Sequence, residues 1–454
     1  MEKYDAIIIG FGKGGKTLAG KLASVGKKVA LIEKSDKMYG GTCINVGCIP
    51  SKSLVHHGII GKAKNLQTFQ EKYEWYKKSV REKKQLVESL REKNYAKLNQ
   101  LSEVTIINGE ASFLSEHQIE VLSTTGKKIL EGDKIYINTG GTQIQPKIEG
   151  IQDNSFVYNS ETLMNLEELP EHLSIIGGGY IGLEFASMYA EFGAKVTVFQ
   201  DGETFVGRED RDIAEAIKEI LEAKGVQFIL GVSIEKVTAE EKQAVVQYSR
   251  QGKTYYQQAE AVLIATGRKA NTQGLHVEKA GIQLTKRGAI KVNEKMQTNI
   301  SHIFAMGDVT GGLQFTYTSL DDYRIIWSQL QGGNYTLEKR RNVPYSVFLT
   351  PAYARVGLNE TEARKAGYDV KIMKMPTAMI PKAQVLQNTQ GLLKAVVDEK
   401  TNKILGAMLL CEESYEMINI IKLAMDMDGD YIVLRDQIFT HPTMSEALND
   451  LFSL

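Results

Sequence analysis

Residues 4–34 read YDAIIIGFGKGGKTLAGKLASVGKKVALIEK, a pattern typical of a strand, a glycine-rich turn, a helix and a second strand. Gly10, Gly12 and Gly15 form the turn, and Glu33 ends the second strand. Glycines let the backbone approach a pyrophosphate at the helix N-terminus, and the carboxylate can bind ribose hydroxyls. This stretch therefore predicts a Rossmann-like dinucleotide-binding unit.

The same pattern recurs at residues 173–199, LSIIGGGYIGLEFASMYAEFGAKVTVF, where Gly177, Gly179 and Gly182 form the turn. Gln200 occupies the position at which an acid would favour NADH, whereas a cluster of arginines there would favour NADPH. The sequence therefore leaves the choice between NADH and NADPH open. Two dinucleotide sites are therefore predicted.

Residues 39–52, YGGTCINVGCIPSK, hold two of the three cysteines of the chain. A regular helix does not bring Cys43 and Cys48 together, but a distorted first turn entered from Gly40 and Gly41 can. The loop between them is too short for a stabilising disulfide, and two thiols cannot bind zinc alone, so we interpret them as a redox pair. A helix beginning just after Thr42 is expected to lower the thiol pKa.

The motif GGTCxNxGCxPSK, followed by HPTxSE near residue 446, resembles the class I flavoprotein disulfide reductases. This family includes lipoamide dehydrogenase, glutathione reductase and mercuric reductase. Within it, GFGKGGKTLA, Tyr39 and FTYTSLDDYRI at 315–325 look most like the hypothiocyanous acid reductases of bacterial oxidant defence. The resemblance implies FAD and either NADH or NADPH as cofactors.

The resemblance also implies an α/β fold with two Rossmann-like dinucleotide-binding domains and a C-terminal α+β dimerisation domain. ATGR at 265–268 and TNISHIFAMGDV at 298–309 resemble the motifs that end the nicotinamide unit and return to the flavin unit. The expected domains are 1–149 with 271–340 for FAD, 150–270 for NAD(P), and 341–454 for dimerisation, the last including a helix from Tyr415 to Met427.

By the same resemblance, Cys43 meets the substrate and Cys48 forms the charge-transfer thiolate beside the flavin. His441, oriented by Glu446, is implied to be the acid-base group and to come from the partner subunit, so we expect a homodimer with shared active sites. The remaining cofactor-binding residues implied are Lys52 with its partner Glu184, Thr42, Gly141, Asp308, Thr316 and Gly267. We predict no metal site.

Departures from the family pattern narrow the range of possible substrates. Gly20 aligns with the substrate-binding arginine of glutathione reductases, and the C-terminus lacks the cysteine pair usual in mercuric reductases. Thr440 and the FTYT at 315–318 depart from the family pattern near the flavin and the thiols. We therefore expect a small oxidant, hypothiocyanous acid, reduced to thiocyanate. The alternatives are a lipoamide dehydrogenase, a mercuric or cupric ion reductase, and a non-enzymatic flavin-bearing redox sensor.

Composition sets wider limits on function. Lys and Arg number 55 and balance 55 Asp and Glu in a chain of 454 residues, so no basic field indicates nucleic acid or an anionic membrane. Few cysteines and the absence of a long apolar run or signal segment favour a cytoplasmic protein.

Several side chains outside the motifs also carry expectations. We expect Lys13 and Lys16 to be solvated rather than bound to an anion, and His56 and His57 to serve the surface or packing rather than a metal. Cys411, at the end of an apolar strand, is expected to be a core thiol.

Overall fold

The computed structural model describes residues 2–454 and builds the first unit around a seven-stranded sheet. Its parallel part runs Val104–Asn108, Val29–Glu33, Glu2–Ile9, Gly126–Ile137 and Ile303–Ala305 in spatial order. Ala6 to Ile9 are buried because helices and further strands cover the sheet, which explains the unbroken apolar run. Gly126–Ile137 also pairs antiparallel with Gln118–Ser123, which pairs with Glu110–Phe113.

The helices of this unit include the first helix Lys13–Ala23, the cysteine helix Cys48–Ala63 and the long helix Phe69–Asn99. The long helix begins with a capping box in which Thr68 and Glu71 bond each other's backbone N–H groups. Further helical segments are Asp36–Met38, Thr42–Asn45, Val277–Ala280, Gly307–Thr310, Thr316–Leu330 and Leu337–Lys339.

The second unit is a five-stranded parallel sheet that follows the second glycine pattern. Its spatial order is Val226–Leu230, Lys195–Gln200, His172–Ile176, Ala261–Ile264 and Val157–Tyr158. Its other elements are the helices Ser160–Asn165, Tyr180–Phe192 and Arg211–Ala223 and the antiparallel strands Ser233–Ala239, Ala244–Arg250 and Lys253–Ala259. Gly141–Gln143 pairs with Arg268–Ala270 and links the chain segments that enter and leave this unit.

The third unit is an antiparallel sheet with helices. Its strands lie in the order Tyr345–Val347, Tyr353–Gly357, Ile404–Leu410, Leu392–Asp398 and Val370–Pro376. The helical segments are Glu360–Lys365, Thr377–Met379, Pro381–Val385, Ser414–Asp426, Ile432–Arg435 and Ala447–Leu451. The helix predicted from Tyr415 to Met427 begins and ends one residue earlier.

The predicted α/β class and the three kinds of unit are confirmed, while the domain boundaries stay a prediction. Buried charges join the second and third units: Lys394 Nζ donates to Asp210 at 2.8 Å, and Arg355 Nη1 donates to Glu209 at 3.1 Å. Among residues 2–454, no helix combines the length and apolar composition that a membrane crossing requires.

Candidate active site

A cavity of about 1540 Å³ lies between the three units. Eleven predicted site residues line it: Gly10, Gly12, Glu33, Thr42, Cys43, Cys48, Lys52, Gly141, Glu184, Asp308 and Thr316. The lining does not include Gly15, Gly177, Gly179, Gly182, Gly267, His441 or Glu446. The fold thus brings the first glycine turn and the cysteines together and leaves the second turn and the histidine elsewhere.

The three glycines of the first turn form a cradle of backbone atoms. Gly10 has a φ of +106°, and a Cβ there would lie 2.3 Å from the carbonyl oxygen of Asn138. A Cβ at Gly12 would lie 2.5 Å from Asn138 Oδ1, which accepts the N–H of Gly15 at 2.9 Å. Asn138 therefore fixes the backbone of the turn at the N-terminus of the first helix, where a pyrophosphate would bind.

Two carboxylates line the same cavity at positions suited to a sugar and a ribityl chain. Glu33 accepts the N–H of Phe11 at 2.9 Å, and its burial raises its pKa. Burial also raises the pKa of Asp308, while the positive charge of Arg268 acts against that shift. The cradle and both acceptors are the groups that would hold the pyrophosphate and the hydroxyls of a dinucleotide such as FAD.

The two cysteines lie on either side of a break between helices. Thr42–Asn45 is a single helical turn, Val46 and Gly47 interrupt it, and the 16-residue cysteine helix begins at Cys48. This break is the distortion that the spacing predicted. Both thiols are free, and a hydrogen bond joins them.

Of the two thiols, Cys48 has the lowered pKa and Cys43 the raised one. The hydrogen bond from Cys43 lowers the pKa of Cys48 to about 6, and the charge of Lys52 and a bond with Thr316 act the same way. The same hydrogen bond, followed by burial, raises the pKa of Cys43. We expected a helix that begins just after Thr42 to lower a thiol pKa. The thiol with the lowered pKa is Cys48, the first residue of the long cysteine helix.

Lys52 lies one helical turn after Cys48 and therefore on the same face. Its Nζ donates to Glu184 Oε2 at 2.6 Å, which confirms the contact predicted between these two residues. Glu184 Oε1 also accepts the N–H of Phe348 at 2.8 Å, and Lys52 Nζ lies 4.6 Å from the centre of the Phe348 ring. Glu184 thus connects all three units beside the thiols.

His441 Nδ1 lies 2.8 Å from Glu446 Oε2, as predicted for an oriented imidazole. The His441 side chain is 70% exposed in the single chain. It does not line the cavity of its own chain.

The second glycine turn repeats the geometry of the first. A Cβ at Gly177 would lie 2.5 Å from the carbonyl oxygen of Ala265, and one at Gly182 would lie 2.0 Å from that of Gly177. Around Gly179, the N-cap of Tyr180–Phe192, the space is open. Gln200 turns its side-chain amide to the carbonyl oxygen of Thr204 at 2.8 Å. At Gly267 the φ is +110°.

Sequence reasoning missed two polar residues of the cradle. Asn138 donates to the carbonyl oxygen of Met306 at 2.7 Å, and Ser319 Oγ accepts the N–H of Gly14 at 3.3 Å. Asn138 directly follows the buried end of a strand that pairs with the first strand. This position is the sequence feature that could have indicated its role in the cradle.

The expectations for the remaining residues had different outcomes. The prediction that Lys16 is solvated is wrong, because its Nζ donates to Asn94 Oδ1 at 2.5 Å, and Lys13 lines the cavity. His57 serves packing as predicted, with Nε2 2.8 Å from Glu82, and His56 is exposed. Cys411 is confirmed as a core thiol, since it is fully buried.

The departures noted in the sequence have structural counterparts. A Cβ at Gly20 would lie 3.4 Å from Leu98, so the long helix packs against this position. Tyr317 lines the cavity, donates to the carbonyl oxygen of Pro344 at 2.6 Å, and stacks on Phe315. Aromatic rings therefore form the wall near Cys48.

Two family models match the chain. The pyridine nucleotide-disulphide oxidoreductase model matches residues 4–322, and the dimerisation domain model of the same family matches residues 343–452. The chain belongs to the pyridine nucleotide-disulphide oxidoreductase family. It is accordingly an enzyme, and the family implies FAD and NAD(P)H as cofactors and a homodimer.

Similar proteins place this oxidoreductase among flavoprotein disulfide oxidoreductases of the RclA type. It is 50% identical to the probable pyridine nucleotide-disulfide oxidoreductase RclA of Escherichia coli, with 100% of both chains covered. A mercuric reductase of Staphylococcus aureus is 35% identical, over 98% of this chain and 81% of that protein. A structure described as the Cu(II) complex of HOCl-induced flavoprotein disulfide reductase RclA C43S mutant from Escherichia coli has a TM-score of 0.95 and 49% identity, with 100% of both chains covered.

Proposed function

We propose that this oxidoreductase reduces hypothiocyanous acid to thiocyanate with electrons from NADH or NADPH. The observation that carries the proposal is the pair of free thiols, Cys43 and Cys48, which both line the cavity beside the first glycine turn. A small electrophile needs a nucleophilic thiol and no large docking surface. The long helix against Gly20 and the aromatic wall at Tyr317 agree with such a substrate.

The FAD-binding residues follow from the cavity. The turn at Gly10, Gly12 and Gly15 would hold the pyrophosphate, Glu33 the adenosine ribose, and Asp308 the ribityl chain. Thr42, Gly141, Thr316 and the Lys52–Glu184 pair would surround the flavin ring. When bound, FAD passes electrons from the nicotinamide to the cysteine pair. Gly177, Gly179, Gly182 and Gly267 would hold the nicotinamide dinucleotide.

The first chemical step is an attack by Cys43 on the sulfur of hypothiocyanous acid. Because the pKa of Cys43 is raised, its proton must first move to a base, and His441 of the partner subunit is the group proposed here. The new S–S bond replaces the S–O bond of the oxidant. The hydroxide that leaves takes up this proton from His441 of the partner subunit and departs as water.

The second step closes the cysteine pair. The Cys48 thiolate attacks Sγ of Cys43 and expels thiocyanate, which leaves as a stable anion without a proton. Two electrons and one proton from NAD(P)H then return the disulfide to one thiol and one thiolate. The sum is one NAD(P)H and one hypothiocyanous acid converted to NAD(P)⁺, thiocyanate and water.

Cupric ion is a second candidate substrate, favoured by the Cu(II) complex of the similar Escherichia coli protein. Within residues 2–454, no three or more His, Cys, Asp or Glu side chains are grouped to hold a metal ion. We therefore rank the cupric ion below hypothiocyanous acid.

The test is a steady-state comparison of substrates with NADH and with NADPH. The panel contains hypothiocyanous acid, lipoamide, glutathione disulfide, mercuric ion and cupric ion, and Cys43→Ser serves as the control. We expect the highest kcat/KM for hypothiocyanous acid and no turnover of it by Cys43→Ser. Equal kcat/KM for lipoamide would identify a lipoamide dehydrogenase, and a higher value for the cupric ion would support the second candidate.

A further inference from the structure

Lys16 ties the cysteine turn to the long helix. This residue follows the first glycine turn directly, and its Nζ donates to Asn94 Oδ1 at 2.5 Å and to the carbonyl oxygen of Gly40 at 3.5 Å. Asn94 is itself held by a bond from Nδ2 to the carbonyl oxygen of Leu90 at 2.7 Å. Gly40 lies three residues before Cys43, so the ammonium group contacts the turn of the chain that leads into this thiol.

The positive charge of Lys16 also acts on Cys43. The hydrogen bond to Cys48, burial and the charge of Cys48 raise the pKa of Cys43, whereas Thr316 and Lys16 lower it. Cys43 must become a thiolate before it can attack an electrophile. Lys16 is therefore a cation placed to favour the reactive form of the less acidic thiol.

Lys16 carries this charge at neutral pH. Burial lowers its pKa to about 8, Lys13 and Lys97 repel it, and Cys43 favours its charged form. One unit below the pKa, the ammonium form exceeds the amine about tenfold. The effect on Cys43 should be nearly complete at pH 7 and should fade above pH 8.

We propose that Lys16 is a positioning residue for Cys43, because its ammonium group joins the turn before this thiol to Asn94 of the long helix. The proposal rests on the role given above to Cys43. Lys16 and Gly20 lie one helical turn apart on the same face. The face on which Gly20 replaces the substrate-binding arginine of glutathione reductases thus carries the half-buried ammonium group of Lys16.

The size of the effect follows from thiol chemistry. A nearby opposite charge shifts a pKa by about one unit or more. Raising a thiol pKa by one unit lowers the thiolate fraction about tenfold but makes the thiolate more nucleophilic, so the rate below the pKa falls about threefold. Loss of the Lys16 charge should slow alkylation of Cys43 by about that factor.

The experiment measures alkylation of Cys43 by iodoacetamide in the FAD-loaded protein with Cys48→Ser, by mass spectrometry of the Cys43 peptide. Lys16→Gln keeps a donor for Asn94 and Gly40 but removes the charge, Lys16→Arg keeps the charge, and Lys21→Met removes an exposed lysine of the same helix. At pH 7 we expect Lys16→Gln to be about threefold slower and the other two variants to match the background.

The pH profile separates charge from anchoring. The deficit of Lys16→Gln should shrink at pH 9, where the lysine itself is neutral. Lys97→Met removes a cation that repels Lys16 and should therefore raise the pKa of Lys16. The fast alkylation should then extend to higher pH, which tests the proposal with Lys16 intact. Equal rates for the background protein and Lys16→Gln at pH 7, or the same deficit at both pH values, would overturn the role of the charge. No oxidant is used, so failure with hypothiocyanous acid leaves this result valid.

Discussion

The acidity of Cys48 can be tested by replacing its hydrogen-bond donor. Cys43 is the first cause of the lowered pKa of Cys48, ahead of the charge of Lys52. Cys43→Ser keeps a hydroxyl that can donate to the thiolate, whereas Cys43→Ala keeps none. Comparing the two variants isolates the hydrogen bond, because the helix N-terminus, Lys52 and Thr316 are present in both.

The expected shift follows from the strength of such a bond. A hydrogen bond to a charged group contributes about 1.5–3 kcal/mol. One pKa unit corresponds to about 1.4 kcal/mol, so losing the donor should raise the pKa of Cys48 by about 1 to 2 units. Starting from about 6 with a donor present, Cys43→Ala should therefore reach about 7 to 8.

The assay is a pH titration of the long-wavelength absorbance that a thiolate gives beside oxidised flavin. Because the pKa of Cys48 is lowered, the thiolate persists above that pKa and is lost as the pH falls through it. The band should disappear near pH 6 in Cys43→Ser and one to two units higher in Cys43→Ala, and Cys48→Ser should show no band.

Two results would refute this reasoning. Identical midpoints in Cys43→Ser and Cys43→Ala would show that the hydrogen bond does not cause the acidity. A band that is lost in Cys43→Ser and kept in Cys48→Ser would reverse the roles of the two thiols.

Two further predictions concern the dimer and the core. His441→Ala and Cys43→Ser homodimers should each be nearly inactive, but mixed heterodimers should regain one good site; turnover assays of refolded mixtures that recover nothing would contradict shared sites. Cys411→Ala should leave hypothiocyanous acid turnover unchanged and lower the free energy of unfolding by about 1 kcal/mol, because it removes only a buried sulfur. Denaturant titration measures the latter, and a loss of turnover by the folded variant would contradict a purely structural thiol.

The sequence alone determined the parts of this protein that depend on short-range pattern. Both glycine turns precede helices. Gly10 and Gly177 must be glycines, because a Cβ at either position would clash with a neighbouring backbone carbonyl. The spacing of Cys43 and Cys48 required a broken helix, and the break lies at Val46 and Gly47. Such features are readable because the constraint lies within a few residues of its cause.

Only the tertiary structure decided contacts between segments that are distant in sequence. The lowered pKa of Cys48 depends first on its hydrogen bond with Cys43 and then on Lys52 and on Thr316, which is distant in sequence. Lys16 looked like a solvated lysine, because its acceptor Asn94 lies on a helix 78 residues away. The exposed His441 lies outside the cavity of its own chain, a position that depends on how the third unit packs against the other two.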